Sequence, residues 1–315
     1  MRYHPLLLLF ALLTLAAAGG AGCPNMVRQY SEPPPVVFAG PPTLGEVIHI
    51  VNTNSTQVHQ LQARGARLTV QGMPALQANI AYQQPRRFRL RAQTSLTGPE
   101  LDLGSDSELF WLWVKRNRPP AVYFCRHSEF YQSAARQVVP IDPQWLIEAF
   151  GLVYLDPQGD HKGPVLFEPD RLKIWSVIPS PEGDLSRTCV IDATHGWVLE
   201  QHITDHRGRL LASALASQHH YDPASGVSLP RHVEIRLPPA MSFTIDVADY
   251  VVNQTVGDSG RLFTMPPLAG YDKINLADLR PSALDGTRPA NLPQRFPSPE
   301  VRHRRGGYGD FRFRQ

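Results

Sequence analysis

Long apolar runs are scarce in this chain of 315 residues. The one that stands out, Leu6–Ala18, has 13 residues, which is too short for a helix that crosses a lipid bilayer. An excess of charge is lacking too, because 31 Lys and Arg oppose 28 Asp and Glu for a net charge of +3. Residues 281–315 hold seven Arg against three acidic residues, so the remainder is nearly neutral. The sequence therefore predicts no transmembrane helix and no nucleic-acid partner.

Motifs that carry catalysis are also missing. The sequence contains neither G-x-S-x-G nor G-x-x-x-x-G-K-[ST], so neither a nucleophile elbow nor a phosphate-binding loop is indicated. His202 and His206 could share one face of a strand or helix, but no Glu completes an H-E-x-x-H pattern and no third ligand is suitably spaced. We therefore expect no catalytic residue, no metal site and no cofactor, and an exported hydrolase is the least favoured function.

Proline is abundant, with 30 residues against 23 glycines. Each proline removes a backbone donor and blocks a helix interior, so a helical bundle is not expected. The balance of 42% hydrophobic and 19% charged residues is typical of a globular protein. The length suits one large β-rich domain once both termini are set aside.

The N-terminus has the anatomy of an export signal. Met1-Arg2 is followed by the apolar run and then by Gly19-Gly20-Ala21-Gly22-Cys23, as in secretory signal peptides. A cysteine after Gly-Ala-Gly resembles the lipobox of bacterial lipoproteins, which implies a signal peptide over residues 1–22 and a lipid anchor on Cys23. The alternative is cleavage after Ala16-Ala17-Ala18, with Cys23 as a free thiol. Residues 23–43, rich in proline, are expected to form a stiff linker.

Two segments have helical spacing. Leu44, Val47, Ile48 and Val51 predict a helix that ends at the polar stretch 52–55, followed by a shorter helical phrase that closes at Gly65. Asp142-Pro143 is a helix start signal, because the carboxylate can cap the first turn and proline suits it. That second helix is expected to end at Gly151.

Alternating patterns predict about a dozen strands. They are Ala66–Gln71, Leu76–Gln83, Arg86–Thr94, Glu108–Lys115, Ala121–Cys125, Val165–Glu168, Arg171–Ile178, Leu185–Asp192, Trp197–Thr204, Leu210–His219, Arg231–Leu237 and Ser242–Asn253. This order favours an α+β, mainly β class: a large curled antiparallel sheet, an unclosed half-barrel, with helices covering its concave face. We place this domain at residues 44–280 and expect a disordered basic tail over residues 281–315.

Two of these strands carry distinct face patterns. In Arg86–Thr94, Phe88 and Leu90 point one way, and Arg87, Arg89 and Arg91 point the other. The arginines form either a solvated strand face or a site for an anion or lipid head group. Glu108–Lys115 carries large apolar residues on both faces, which predicts cover on both sides.

The remaining cysteines, Cys125 and Cys189, lie in no C-x-x-C or metal-ligand spacing. An exported compartment would permit a disulfide between them. Two separate buried thiols are the alternative, and the sequence does not decide between them.

Aromatic residues are concentrated on the central strands: Trp111, Trp113, Tyr123, Phe124, Trp175 and Trp197. Such residues usually form the core. A curled sheet also has a concave face, however, and where helices cover it incompletely its lining becomes an apolar cavity that can take acyl chains.

The order of elements and several phrases resemble the LolA/LolB-like lipoprotein-carrier superfamily over about residues 44–270. The phrase Pro85-Arg86-Arg87-Phe88-Arg89-Leu90 and the stretch 104–111, GSDSELFW, are similar to a "P-x-x-F-R… S-D-G-x-x-x-W" pattern of that superfamily. Residues 196–199, the turn 205–208, Leu229-Pro230 and Val252-Asn253 are similar to its second half.

The resemblance implies an unclosed barrel that holds acyl chains, with Phe88, Leu90, Trp111 and Trp113 as lining residues. A lipidated N-terminus would make the chain similar to the outer-membrane acceptor. We therefore expect a monomeric, non-enzymatic, membrane-anchored lipoprotein of the bacterial envelope, facing the periplasm, whose partners are lipids or the acyl chains of lipoproteins. The alternative is an envelope scaffold or sensor that uses the same fold, with a filled interior, to bind a protein partner.

Overall fold

The computed structural model of the chain describes residues 32–279, except residues 134, 139–141, 182, 239–240 and 255–258. Contacts divide the chain between Pro33 and Pro34, and every element below lies in the part that begins at Pro34. The expected signal peptide, Cys23 and the basic tail over residues 281–315 fall outside the described residues.

The described part is mainly β. Its strands are β1 (Gln60–Val70), β2 (Leu76–Gln83), β3 (Arg87–Thr94), β4 (Gly98–Ser105), β5 (Leu109–Val114), β6 (Ala121–Arg126), β7 (His161–Glu168), β8 (Arg171–Ile178), β9 (Leu185–Asp192), β10 (Val198–Thr204), β11 (Leu210–Asp222), β12 (Val227–Leu237), β13 (Met241–Asp246), β14 (Asp249–Val252) and β15 (Asp272–Asn275). Its helices are α1 (Leu44–Thr56), α2 (His127–Phe130), α3 (Ala135–Val138), α4 (Gln144–Ala149), α5 (Ser259–Leu262) and a 3₁₀ turn at Leu276–Asp278.

All fifteen strands belong to one sheet in the order β15-β6-β5-β4-β3-β2-β1-β13-β12-β11-β10-β9-β8-β7, with β14 also paired to β1. The two ends of this order do not pair, so the sheet is unclosed. Neighbours are antiparallel except β15, which runs parallel to β6. The predicted fold class is confirmed, with that one parallel pair making the sheet mixed.

Helix α1 begins at a capping box. The Thr43 hydroxyl accepts from Glu46 N, and Thr43 N donates to Glu46 Oε2 at 2.7 Å, which satisfies two amides that the helix cannot pair itself. The expected end at residues 52–55 is wrong, because the helix runs to Thr56. Polar residues there do not break it, since the Asn52 amide exchanges two hydrogen bonds with Leu155 (2.7 and 2.8 Å) and Asn54 does the same with Ser228 (3.0 and 2.8 Å). The expected second helical phrase is instead a short turn and the start of β1.

The sheet curls around α4. Phe150, which ends α4, holds its ring centroid 5.8 Å from that of Phe88 on β3, while Glu148, two residues earlier, pairs with Arg187 on β9. Strands β3 and β9 are seven steps apart in the sheet order, which in a flat sheet would separate them by roughly 30 Å. Residues so close in the chain can reach both strands only because the sheet bends. We call the face that α4 contacts the concave face, and the opposite one the convex face.

Candidate functional site

The concave face is apolar over most of its area. Around Phe88 and Leu90 it contributes a continuous buried cluster with Leu61, Leu68, Leu76, Ile80, Leu229 and Ile245. Helix α1 covers the part of the concave face that β8 and β9 form, where Val47 and Val51 pack with Leu172, Ile174 and Ile191. The structure thus brings the predicted lining residues Phe88 and Leu90 together on the inner surface of the curl.

Trp111 and Trp113 lie on the convex face. Register pairs Trp111 with Gly104, and Gly104 with Arg89, so Trp111 lies on the face that Phe88 does not occupy. Trp113 shares this face because it is two residues further along β5. Their indoles pack with Val122, Met265 and Tyr271 instead. The structure therefore does not place these two tryptophans with Phe88 and Leu90, because side chains alternate between the two faces along each strand. The predicted cover on both faces of this strand is found, since Phe110 packs on the other side with Cys125 and Phe130.

The arginine stripe is not a uniform solvated face. Arg89 is buried and donates to both oxygens of Asp102, from Nε to Oδ1 at 3.1 Å and from Nη2 to Oδ2 at 2.7 Å. Its Nη1 donates to Leu262 O at 2.8 Å. Arg87 contacts Gln83 at 3.3 Å, and Arg91 lies half exposed near Asp102. Arg89 thus has its hydrogen-bonding capacity satisfied within the fold and is not free to bind a head group.

Side chains of α4 fill the interior. Ile147 and Phe150 pack with the cluster around Phe88, and Trp145 and Ala149 pack with Ile203, Ala212, Ala214 and Val233. Beside α1, two cavities of about 100 and about 10 Å³ are present, both smaller than the roughly 300 Å³ at which ligand pockets usually begin. Within the described residues, side chains of α4 therefore occupy the centre of the concave face.

A polar cluster interrupts this apolar interior. The Arg187 guanidinium on β9 donates from Nη2 to Glu148 Oε2 and from Nη1 to Tyr154 O at 3.3 Å. Gln201 on β10 donates from Nε2 to Glu148 O at 3.2 Å. Burial raises the pKa of the Glu148 carboxyl, although the positive charge of Arg187 acts in the opposite direction. The cluster ties the short helix α4 to the sheet by one ion pair and one hydrogen bond.

Three buried polar atoms on Arg187, Gln201 and the nearby helix α4 have no hydrogen-bond partner among the described residues. They are Arg187 Nε, Gln201 Oε1 and the indole nitrogen of Trp145, one helical turn before Glu148. Buried polar groups without partners are uncommon and destabilising. These residues are not predicted from the sequence, although Arg187 interrupts the apolar alternation of Leu185, Cys189 and Ile191.

The larger of the two cavities lies where α1 meets strands β11 and β12 and the turn that precedes β10. Trp197 forms one wall and is stacked between His195 and His219, at centroid distances of 4.3 and 4.9 Å. Burial lowers the pKa of His219 to about 4. The cavity has room for a few water molecules or one small side chain, which excludes an acyl chain in this place.

The two remaining cysteines are separate thiols. Cys125 on β6 belongs to the cluster around Phe130, and Cys189 on β9 to the cluster under α1. Both are buried and free. Of the two alternatives for this pair, the structure has the separate thiols, because different clusters hold their side chains.

His202 and His206, the two histidines considered as a possible site, contact different partners. His202 Nε2 lies 3.0 Å from Glu200 Oε2, and His206 stands in an exposed turn beside Arg207. Among the described residues, no three His, Cys, Asp or Glu side chains are grouped as metal ligands. The close Ser–His contact between Ser176 Oγ and His161 Nδ1, 2.7 Å, continues to a backbone carbonyl, Asp156 O, and not to a carboxylate.

The edge strand β7 carries an exposed apolar strip. Val165, Leu166 and Phe167 are about half exposed or more, and Lys173 Nζ lies 3.3 Å from the centroid of the Phe167 ring. Contiguous exposed apolar residues often mark a surface that contacts a partner or membrane. Within the described ranges, no helix combines the length and apolar character that a membrane span needs.

No protein-family model and no curated protein matches the chain. Among solved structures, the chain is similar to an outer membrane lipoprotein-sorting protein domain from Vibrio parahaemolyticus (9% identity, 69% of this chain and 97% of that chain, TM-score 0.47). It is also similar to a LolA superfamily protein from Nitrosomonas europaea (10%, 71% and 98%, TM-score 0.44) and to a DUF1329 family protein from Desulfovibrio piger (11%, 69% and 95%, TM-score 0.45).

Proposed function

We propose that this chain is a membrane-anchored protein of the bacterial cell envelope that binds an acyl chain, of a lipid or of a lipoprotein, on the concave face of its sheet. The proposed role is binding and transfer without a catalytic step. The observation that carries it is the construction of the interior: a curled, apolar sheet surface closed at its centre by one six-residue helix, α4.

An acyl chain would take the place of α4 side chains. Burying about fourteen methylenes contributes on the order of 11 kcal/mol, at about 0.8 kcal/mol per CH₂. Exposing Trp145, Ile147 and Phe150 costs roughly 5–9 kcal/mol, at about 1.5–3 kcal/mol for each side chain. The gain from burying the acyl chain is therefore as large as or larger than the cost of exposing the α4 side chains. We assign the packed interior to the unloaded, closed state of the carrier.

The proposed anchor is a lipid on Cys23, followed by the proline-rich linker, and we place the protein on the periplasmic side of the outer membrane. Several acyl chains on one residue hold a protein stably on a membrane. Acyl labelling of the protein in cells should therefore disappear in Cys23→Ser, and labelling that persists in this variant would contradict the anchor.

The carrier role is tested by photo-crosslinking. A photoreactive phenylalanine analogue replaces Phe88, on the concave face, or Phe124, on the convex face. The mature chain with Cys23→Ser is then irradiated with radiolabelled palmitoyl lipid in micelles. We expect labelling from position 88 and little from position 124. Equal labelling from both positions, or from neither, would contradict binding on the concave face.

The packed interior also supports a second candidate, an envelope scaffold or sensor that binds a protein partner through its surface. The apolar strip on β7 would then be the contact. Mass spectrometry of organic extracts from the purified Cys23→Ser chain separates the two. Acyl lipid in near-stoichiometric amount supports the carrier, whereas a lipid-free protein with an unchanged interior supports the scaffold.

A further inference from the structure

The ion pair between Glu148 and Arg187 is buried inside a mostly apolar interior. Both side chains are about nine-tenths buried. Two neighbours of Arg187 on the same face, Ile203 on β10 and Cys189 on β9, are apolar and buried, whereas its neighbour on β8, Ser176, is buried and polar. A guanidinium in such a place needs an anion, because an unpaired buried charge is strongly destabilising.

The carboxylate that pairs with Arg187, that of Glu148, uses only some of the hydrogen-bond donors of the guanidinium. Glu148 accepts from Nη2, while Nε has no partner among the described residues. A carboxylate free of a helix backbone can accept from Nε and Nη2 together, in the bidentate geometry that arginine favours. Gln201, which donates to Glu148 O, adds an unused acceptor in its Oε1.

Helix α4 itself resembles an amphiphile bound in this place. It brings one carboxylate, Glu148, to Arg187, and it brings Ile147 and Phe150 to the apolar surface around Phe88. When an acyl chain displaces those apolar side chains, Glu148 leaves with them. Arg187 then stays in the interior without its counter-ion.

We infer, on the basis of the function proposed above, that the interior takes a single-chain amphiphile with a carboxylate head group, of the fatty-acid type, whose carboxylate replaces Glu148 on Arg187. A lipid with a neutral head would leave the guanidinium unpaired on displacing α4. The site therefore selects by charge at one end and by apolar burial along the rest of the ligand.

The test compares palmitate with 1-hexadecanol, which has the same chain length and no charge, on the mature chain carrying Cys23→Ser. Affinities are measured by displacement of a fluorescent fatty acid and by calorimetry. We expect palmitate to bind at least tenfold more tightly than hexadecanol. In Glu148→Gln, which removes the competing carboxylate, palmitate should bind more tightly still, while hexadecanol should gain less.

Removing Arg187 alone would leave the Glu148 carboxylate buried without a counter-ion. The second variant is therefore the double substitution Glu148→Gln with Arg187→Met, which removes both charges. It should bind palmitate and hexadecanol with affinities within about threefold of each other. The matched control is Arg89→Met with Asp102→Asn, a buried pair of the same chemistry on the convex face, which should keep the preference for palmitate. Folding of each variant is checked by circular dichroism.

The outcomes separate the two levels of the proposal. Equal binding of palmitate and hexadecanol by the unmodified chain, or an undiminished preference in the double variant, overturns the role of Arg187 while acyl-chain binding stands. Binding of neither compound by any variant overturns both this inference and the function on which it rests.

Discussion

Gly104 on β4 lies directly against the indole of Trp111 on β5. A β-carbon added at Gly104 would stand 2.1 Å from Cζ2 of Trp111, far inside van der Waals contact. The indole nitrogen donates to Asp102 Oδ1 at 3.1 Å, and the same carboxylate accepts from Arg89. The glycine therefore provides the space in which Trp111 covers the convex face and completes the hydrogen bonding of Asp102.

Gly104→Ala should destabilise the protein by about 1–3 kcal/mol, because the indole or the strand must shift to admit the methyl group. The free energy of unfolding is measured by urea denaturation followed by fluorescence. Gly45→Ala is the matched control, because a β-carbon there meets nothing within 4 Å and alanine favours a helix. A loss for Gly104→Ala no larger than that for Gly45→Ala would show that Trp111 does not occupy this position.

Phe150→Ala should lower the free energy of unfolding by about 3–5 kcal/mol, since the side chain is buried against Phe88 and its loss leaves a cavity. Leu96→Ala, at a position 94% exposed, is the control and should change stability by less than about 0.5 kcal/mol. Chemical denaturation gives both values. A small loss for Phe150→Ala would mean that α4 is not docked on β3 in the free protein.

Acid should weaken the fold through His219. Burial lowers its pKa to about 4 from the ordinary 6.5, so between these pH values the unfolded chain binds a proton that the folded chain does not. The free energy of unfolding should therefore fall as the pH drops from 6.5 towards 4, by at most about 1.4 kcal/mol per pH unit. His219→Phe, which keeps a ring against Trp197, should flatten this part of the pH profile. An unchanged profile would contradict the burial of the imidazole.

His232 provides a control of opposite sign. Its Nδ1 lies 2.7 Å from Asp246 Oδ1, and this hydrogen bond raises the pKa of His232. Its contribution to stability is present below pH 6.5 and is lost as the pH rises through the raised pKa. His232→Asn should therefore remove stability at pH 6 and little of it at pH 9, which is the reverse of the pattern for His219→Phe.

Cys125 and Cys189 should resist thiol reagents in the folded protein, because burial raises the pKa of each thiol to about 11 and excludes the reagent. In the Cys23→Ser chain, no thiol should react until denaturant is added, and then two should. Intact mass should show both residues reduced. A mass lower by two hydrogen atoms would show a disulfide and contradict the separate clusters.

The strand content could be predicted because alternation is a local signal. The pattern of Arg86–Thr94 placed Phe88 and Arg89 on opposite faces, as the structure has them. Strand β4 was missed, because Gly98-Pro99 at its start suggests a turn. Its Asp102 is stabilised by Arg89 and Trp111 on the two neighbouring strands, and such partners are not visible in a local window of sequence.

The candidate site could be predicted only in part. Phe88 and Leu90 were placed correctly on one face, but alternation does not reveal which face of a strand becomes concave, and so Trp111 and Trp113 were grouped with them. Glu148 and Arg187 are single charges at positions where apolar residues would fit the pattern. Neither charge has a partner close to it in the sequence, and only the tertiary structure shows that they form a pair.

The pairing of β15 with β6 joins residues about 150 positions apart, Asp272 and Ala121. Strand β15, at one edge of the sheet, is therefore synthesised long after β6, the strand with which it pairs. Contacts of such long range make folding slow, and until residues 272–275 arrive the edge of β6 stays open to wrong partners. Shortening the chain before Asp272 should therefore yield a protein that aggregates while refolding, even though the apolar cluster around Phe88 is complete without this segment.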